Sequence, residues 1–327
     1  MTSDYWKDRR ILITGINGFA GSWLAEKLLE RNGDIEIFGL KRKDSSLEKI
    51  AHIKKKITLL NGDILDSNSV FSVLKESEPD VVFHLAAQAL AKRSYEEPFK
   101  TFSLNFTGTL NVFEAMRRYE DDLGKIHFAS SANVYGNVKP DEVPIKETQE
   151  LRPIEMYGIS KASADCLCRH YSNAYGMPVV VTRAFHHEGP RCHDDVIGMQ
   201  IVNQISDAIQ GLTGTLFFGN MGVVRDFNDV RDIVNGYILA AENGRNGEVY
   251  NLCGGRGYKI VDLINQLIEE FKLNQVKIEI DQKRLRKNDV PVLIGDNSKA
   301  VEELGWKPDR DFKDTLVELI NDKVKTI

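Results

Sequence analysis

Three side chains in this sequence could do chemistry together. Tyr157 and Lys161 stand four residues apart in YGISK, so on a helix they share one face. Ser131 closes the apolar run KIHFASS, about a helix length upstream of that motif. A lysine ammonium beside a phenol, together with the charge of a bound nicotinamide, should lower the phenol's pKa. The tyrosine can then pass a proton to or from a hydroxyl while the serine holds the same oxygen. Hydride transfer at the adjacent carbon would complete an alcohol–ketone interconversion. The stretch ASSANVYG, residues 129–136, supplies this serine but no carboxylic acid; position 133 is asparagine. An amide is neither acid nor base near neutral pH.

A hydride needs a carrier, and the glycine loop TGINGFAG at 14–21 suits a dinucleotide. Gly15 permits a tight turn, Gly18 lets backbone approach a pyrophosphate, and Gly21 lets the following helix pack closely. The N-terminus of that helix faces the phosphates with free N–H groups and its positive dipole end. The second strand ends in LKRKDSS, where an acid would favour NAD. Lys41, Arg42 and Lys43 are basic instead, with Ser45 and Ser46 beside them and Asp44 beyond the expected position. This favours NADP, with Arg42 on the 2′-phosphate and NAD as the alternative. Asp63, in NGDI, is a candidate for the adenine edge or a plain turn residue.

These residues need a scaffold. RILITG, DIEIFGL, KITLLNGD, PDVVFHLAA, KIHFASS and MPVVVTRAF read as buried parallel strands. Helical patterns separate several of them, notably 68–75 and 98–118. The alternation predicts an α/β fold with a doubly wound parallel (Rossmann) sheet. After about position 185 the pattern loosens. Helices are expected in QIVNQISDAIQG, DVRDIVNGYILAAEN, 258–271 and 312–322, with strands at EVYNLCG and VKIEI. No linker separates the two parts. The expected division is therefore 1–185 with 226–255 returning to it, interleaved with a smaller substrate-binding α/β domain of 186–225 and 256–327.

The bulk numbers suit a globular enzyme. The chain has 327 residues, 42% hydrophobic and 28% charged, enough for a real core. A net charge of -5 gives no reason to propose nucleic acid. HIKKKI reads as a solvated face. The start, MTSDYWKDRR, is polar, and no apolar run reaches the roughly 18 residues of a membrane span. The four cysteines, Cys166, Cys168, Cys192 and Cys253, form no CxxC pair. A cytoplasmic protein with reduced thiols is expected.

With these motifs in place, the chain resembles the extended short-chain dehydrogenases/reductases that modify nucleotide sugars. More narrowly, it is similar to the GDP-mannose 4,6-dehydratase and GDP-4-keto-6-deoxy-mannose reductase group. The resemblance runs through TGINGFAG, KRKDSS, FHLAAQ, YGISK, HEGPR, GNMGVVRDFNDVRDIV and DVPVLIGDNSKAVEELGWKP. It implies a tightly held NAD(P), a GDP-sugar in the second domain, and a homodimer packed through helices near 99–119 and 156–174. It places cofactor contacts on Gly15, Asn17, Gly18, Phe19 and Gly21. Further contacts fall on Arg42, Asp63, Ile64, Leu85, Ala86 and Ala87, and on Tyr157 and Lys161. Substrate contacts fall on Gln88, Ser131 and Asn133, and on His186, His187, Glu188 and Arg191. The nucleotide phosphates fall to Arg225, which could instead pair with Asp226 or Asp229. The family's RPxEV segment matches RKNDV, where Arg286 and Asp289 fit and Lys287 replaces proline.

Two departures bear on the reaction. The family places glutamate where this chain has Asn133, and asparagine where it has His186. Dehydration needs a base for the C5 proton and an acid for the C6 hydroxyl, so reduction at C4 of a GDP-4-keto sugar is the leading expectation. A dehydratase with a relocated acid/base, with His186 or His187 as the new base, is the first alternative. A 4-epimerase is the second, and a non-catalytic nucleotide sensor is disfavoured by the complete triad. The cluster AFHHEGPRCHDD matches no zinc spacing, so no metal is expected.

Overall fold

A computed structural model describes residues 4–31, 35–119, 124–285 and 289–325. Six strands in chain order, β1 (Arg10–Thr14), β2 (Glu36–Lys41), β3 (Thr58–Asn61), β4 (Val81–His84), β5 (Lys125–Ser131) and β6 (Val179–Ala184), join a returning strand, Val249–Leu252. They form one parallel sheet in the order returning strand, β6, β5, β4, β1, β2, β3. Every residue of β4 and β6 is buried, as expected of strands covered on both faces.

Helices cover the two faces. Helix α1 (Phe19–Leu29) follows the glycine loop, and α2 (Ser67–Ser77) starts at the Asp66 side chain, which accepts from the amides of Asn68 and Ser69. The pattern at 98–118 resolves into α3 (Ala91–Glu96), α4 (Pro98–Phe102), a π-turn (Ser103–Thr107) and α5 (Gly108–Arg118). The long α6 (Met156–Tyr175) carries Tyr157 and Lys161 and ends at Gly176, whose positive φ of 66° closes the helix. One apolar cluster packs α1 and the later helix α8 (Val230–Asn243) on one face; another packs α2, α5 and α6 on the other.

A separate core joins α7 (Ile197–Ile209), α9 (Ile260–Glu270) and α10 (Phe312–Lys325) through Ile201, Ile205, Leu263, Leu267, Phe312 and Leu316. VKIEI lies in the strand Lys277–Ile280, which pairs in parallel with Thr215–Phe218. Periodicity did not reveal the two- and three-residue strands His186–Glu188, which pairs with Phe227–Asp229, and Val224–Arg225, which pairs with Tyr258–Lys259 and Val292–Leu293. They are too short to carry a period. Among the described residues, no helix is long and apolar enough to cross a membrane.

Candidate active site

The glycine loop has the shape of a phosphate cradle. Gly15 has φ +75°, and a Cβ there would come within 3.0 Å of the Ala86 backbone. A Cβ on Gly21 would stand 2.2 Å from the Gly15 carbonyl oxygen, so only glycine lets α1 begin this close to β1. Thr14 Oγ1 lies 3.2 Å from the amides of Leu85 and Ala86 and fixes the facing loop. The Asn17 carboxamide donates to the Ser46 carbonyl at 2.8 Å and ties the glycine loop to the turn after β2. Arg42 lies exposed in that turn, and its guanidinium has no ion-pair partner among the described residues. Ile64 is buried and Ala87 half-buried. Asp63 is half-buried and caps its own turn through the Leu65 amide at 2.9 Å. This crevice lies at the carboxyl ends of β1 and β4, where the strand order reverses, and its residues fit a dinucleotide.

Tyr157 shares a hydrogen bond with the Ser131 hydroxyl, which also accepts from the Asn133 amide at 3.2 Å. The lowering of the Tyr157 pKa was expected from Lys161 and the nicotinamide charge together, and the protein's own groups act in the other sense. Burial pushes Tyr157 up to about 12; the Ser131 bond pulls it back and the Glu155 carboxylate adds to the rise. Burial also drives Lys161 down to about 8, and its Nζ rests 4.3 Å from the centroid of the Phe128 ring. Desolvation is the largest cause of both shifts.

Beside these groups opens a cleft whose wall includes Asn133, Glu155, His186, Arg225 and Asp289. Arg225 sits on a two-residue strand, with Leu293 as its register partner. It pairs with Asp289 at 2.7 Å, and not with Asp226 or Asp229. Asp226 instead collects the amides of Gly254, Gly255 and Gly295 at 2.7–3.3 Å, and Asp229 pairs with Arg231. The loops that carry Arg225 and Asp289 are thus pinned from behind by a buried carboxylate. Arg286 and Lys287 lie outside the described residues.

Other expected substrate residues face elsewhere. The Gln88 carboxamide is engaged with Leu90 in its own loop and with Thr101 on α4. His187 stacks on Phe19, with ring centroids 6.1 Å apart, and its Nδ1 meets the Phe185 carbonyl. Glu188 is buried and accepts from the Gly198 and Met199 amides at the start of α7, with its pKa pushed up to about 7 by burial. Arg191 pairs with Glu26 and lies over Trp23. The histidine-rich segment therefore points in several directions, and among the described residues no group of three His, Cys, Asp or Glu side chains could hold a metal ion.

The sequence reading missed Glu155. It is the N-cap of α6 and lies two residues before Tyr157; a carboxylate just ahead of a helix start was the available signal. It also missed Tyr95 and Ala91, which α3 brings to the cleft.

Comparison with known proteins agrees with this architecture. Residues 12–319 match the family model described as GDP-mannose 4,6 dehydratase. The chain is 31% identical to a GDP-6-deoxy-D-mannose reductase of Pseudomonas aeruginosa over 96% of this chain and 97% of that one. It is 32% identical to GDP-mannose 4,6 dehydratase 1 of Arabidopsis thaliana over 98% and 91% of the two chains. A structure of "RMD" from P. aeruginosa complexed with NADPH superposes with a TM-score of 0.83 at 28% identity, covering 98% of this chain and all of the other. The chain is an enzyme of the GDP-mannose 4,6-dehydratase family, within the extended short-chain dehydrogenases/reductases.

Proposed function

We propose that this enzyme is an oxidoreductase acting at C4 of a GDP-hexose, and that its natural reaction is reduction of GDP-4-keto-6-deoxy-mannose. NADPH, when bound, supplies the hydride that reaches C4. The observation that carries this reading is the arrangement that brings the Tyr157 phenol beside Ser131, with Lys161 on the same helix. Such a phenol is protonated at neutral pH. It is set to give its proton to the C4 oxygen as the carbonyl becomes an alcohol, with Ser131 steadying that oxygen. Lys161 supports the same wall of the crevice. Arg225 is the group for the nucleotide phosphates, with Asp289 orienting it. The reductase and NADPH-bound relatives support this choice of substrate and cofactor.

A second reading, the 4,6-dehydratase, draws on one observation: the Glu155 carboxylate stands 3.2 Å from Asn133 Nδ2. However, Glu155 already accepts from the amides of Tyr157 and Gly158 and from Ser94 and Asn133. A carboxylate whose oxygens already hold four donors has little room to serve a sugar hydroxyl as well.

The expected division remains 1–185 with 226–255 for the cofactor, and 186–225 with 256–327 for the nucleotide sugar. The protein is proposed to act as a homodimer in the cytoplasm. Phe99, 86% exposed on α4, and Ile159 on α6 lie on the helices expected to pair. The free cysteines suit reducing surroundings.

Cofactor choice tests Arg42. Arg42→Ala should weaken NADPH binding by roughly tenfold or more, the worth of a charge-assisted hydrogen bond, and leave NADH little changed. Titration of both cofactors against both proteins measures this. Equal weakening would assign Arg42 to a shared part of the cofactor.

A further inference from the structure

We propose that Glu155 is a positioning residue that fixes the polarity of Asn133, so that position 133 presents a hydrogen-bond acceptor to a hydroxyl of the bound sugar. The inference rests on the reading above that the cleft takes a nucleotide sugar.

A carboxylate can only accept, so the Asn133 atom 3.2 Å from Glu155 Oε1 is the Nδ2 donor. The other end of the carboxamide, Oδ1, accepts from no described residue, and Asn133 lines the cleft. Glu155 itself has little freedom. Oε1 also accepts from the Gly158 amide at 2.8 Å, while Oε2 accepts from the Tyr157 amide at 3.0 Å and Ser94 Oγ at 3.1 Å. One side chain thus clamps α3, the turn after β5 and the start of α6. Gly158 makes the clamp tight, because a Cβ there would lie 2.6 Å from the Asn133 carbonyl oxygen and 3.1 Å from Glu155 Oε1. A carboxylate is therefore present in the cleft, but one position back from the sugar. Its role there is to orient an amide.

Glu155→Gln removes the constraint. A glutamine can donate, so Asn133 can turn over and offer Nδ2 to the cleft, where a sugar hydroxyl would meet the wrong polarity. The test is calorimetric binding of GDP-mannose and of GDP to the full-length protein. The wild type should bind GDP-mannose more tightly than GDP. Glu155→Gln should weaken GDP-mannose by about tenfold, the size of one hydrogen bond, with GDP unchanged. Asn133→Ala, which leaves the helix cap alone, should do the same. The pair Asn133→Asp with Glu155→Gln should restore most of the loss, because the acceptor is then carried at position 133 and the amide introduced at position 155 donates to it.

Unchanged GDP-mannose affinity in Glu155→Gln would overturn the proposal. Equal loss for GDP, or no rescue in the double variant, would reduce Glu155 to a helix cap and also overturn it. If the wild type bound neither ligand, the nucleotide-sugar reading would fall and this inference with it.

Discussion

Replacing Tyr157 with phenylalanine should lower turnover by roughly 10²–10⁴-fold, the usual contribution of one positioned acid/base group, which is about 3–5 kcal/mol of barrier. The substitution removes a single oxygen, which bonds to Ser131. The ring still fills its place at the start of α6, and the Glu155 cap bonds to the Tyr157 backbone and not to its side chain. Folding and cofactor affinity should therefore be close to those of the wild type. Single-turnover NADPH oxidation separates the chemical step from binding. Near-normal turnover would remove Tyr157 from the mechanism and pass the proton to another group.

The largest effect on stability should come from Arg183→Met. Arg183 and Asp165 form a two-pronged ion pair, with both contacts at 2.9 Å and side chains 1% and 2% exposed. Ser130 Oγ donates to Asp165 at 2.8 Å, and Arg183 also reaches Tyr135 Oη and the Glu147 carbonyl. The network binds α6, which carries the catalytic pair, to β5 and β6. Removing the guanidinium leaves a buried carboxylate without its counter-charge, which costs about 3–5 kcal/mol. Replacing both partners with apolar residues removes that penalty, so Arg183→Met with Asp165→Leu should recover much of the loss. Denaturant titration of the two single variants and the double one measures this. A single-variant loss under about 1 kcal/mol would contradict the stranded-carboxylate account.

Much of the scaffold was legible because its signals are local. Continuous apolar runs marked β1 to β6, and the glycine triplet marked the first turn, since each reports a backbone demand made within a few residues. The Tyr157–Lys161 spacing reports one helix face in the same way. The substrate wall was harder to read because it is assembled across the chain. Arg225 meets Asp289, 64 positions away, through strands of two residues that leave no period. HHE looks uniform in sequence, yet its side chains part. His186 lines the cleft, His187 turns to Phe19 and Glu188 caps α7. Glu155 was overlooked because a helix cap and a cleft residue share one signature, and only the fold brings Asn133 against it. Spacing likewise reveals the charge near Tyr157 but not the desolvation that the fold imposes on it.

The central claim is that chemistry stops at C4, because the acid expected at position 133 is an amide and the nearest carboxylate is fully engaged. The most direct test gives the purified enzyme two substrates in parallel and follows both by NMR. GDP-4-keto-6-deoxy-mannose with NADPH should be reduced at C4, with one NADPH oxidised per sugar. GDP-mannose with NADP should yield no 4-keto-6-deoxy product. Robust formation of that product from GDP-mannose, with the cofactor returned to its starting state, would contradict the account.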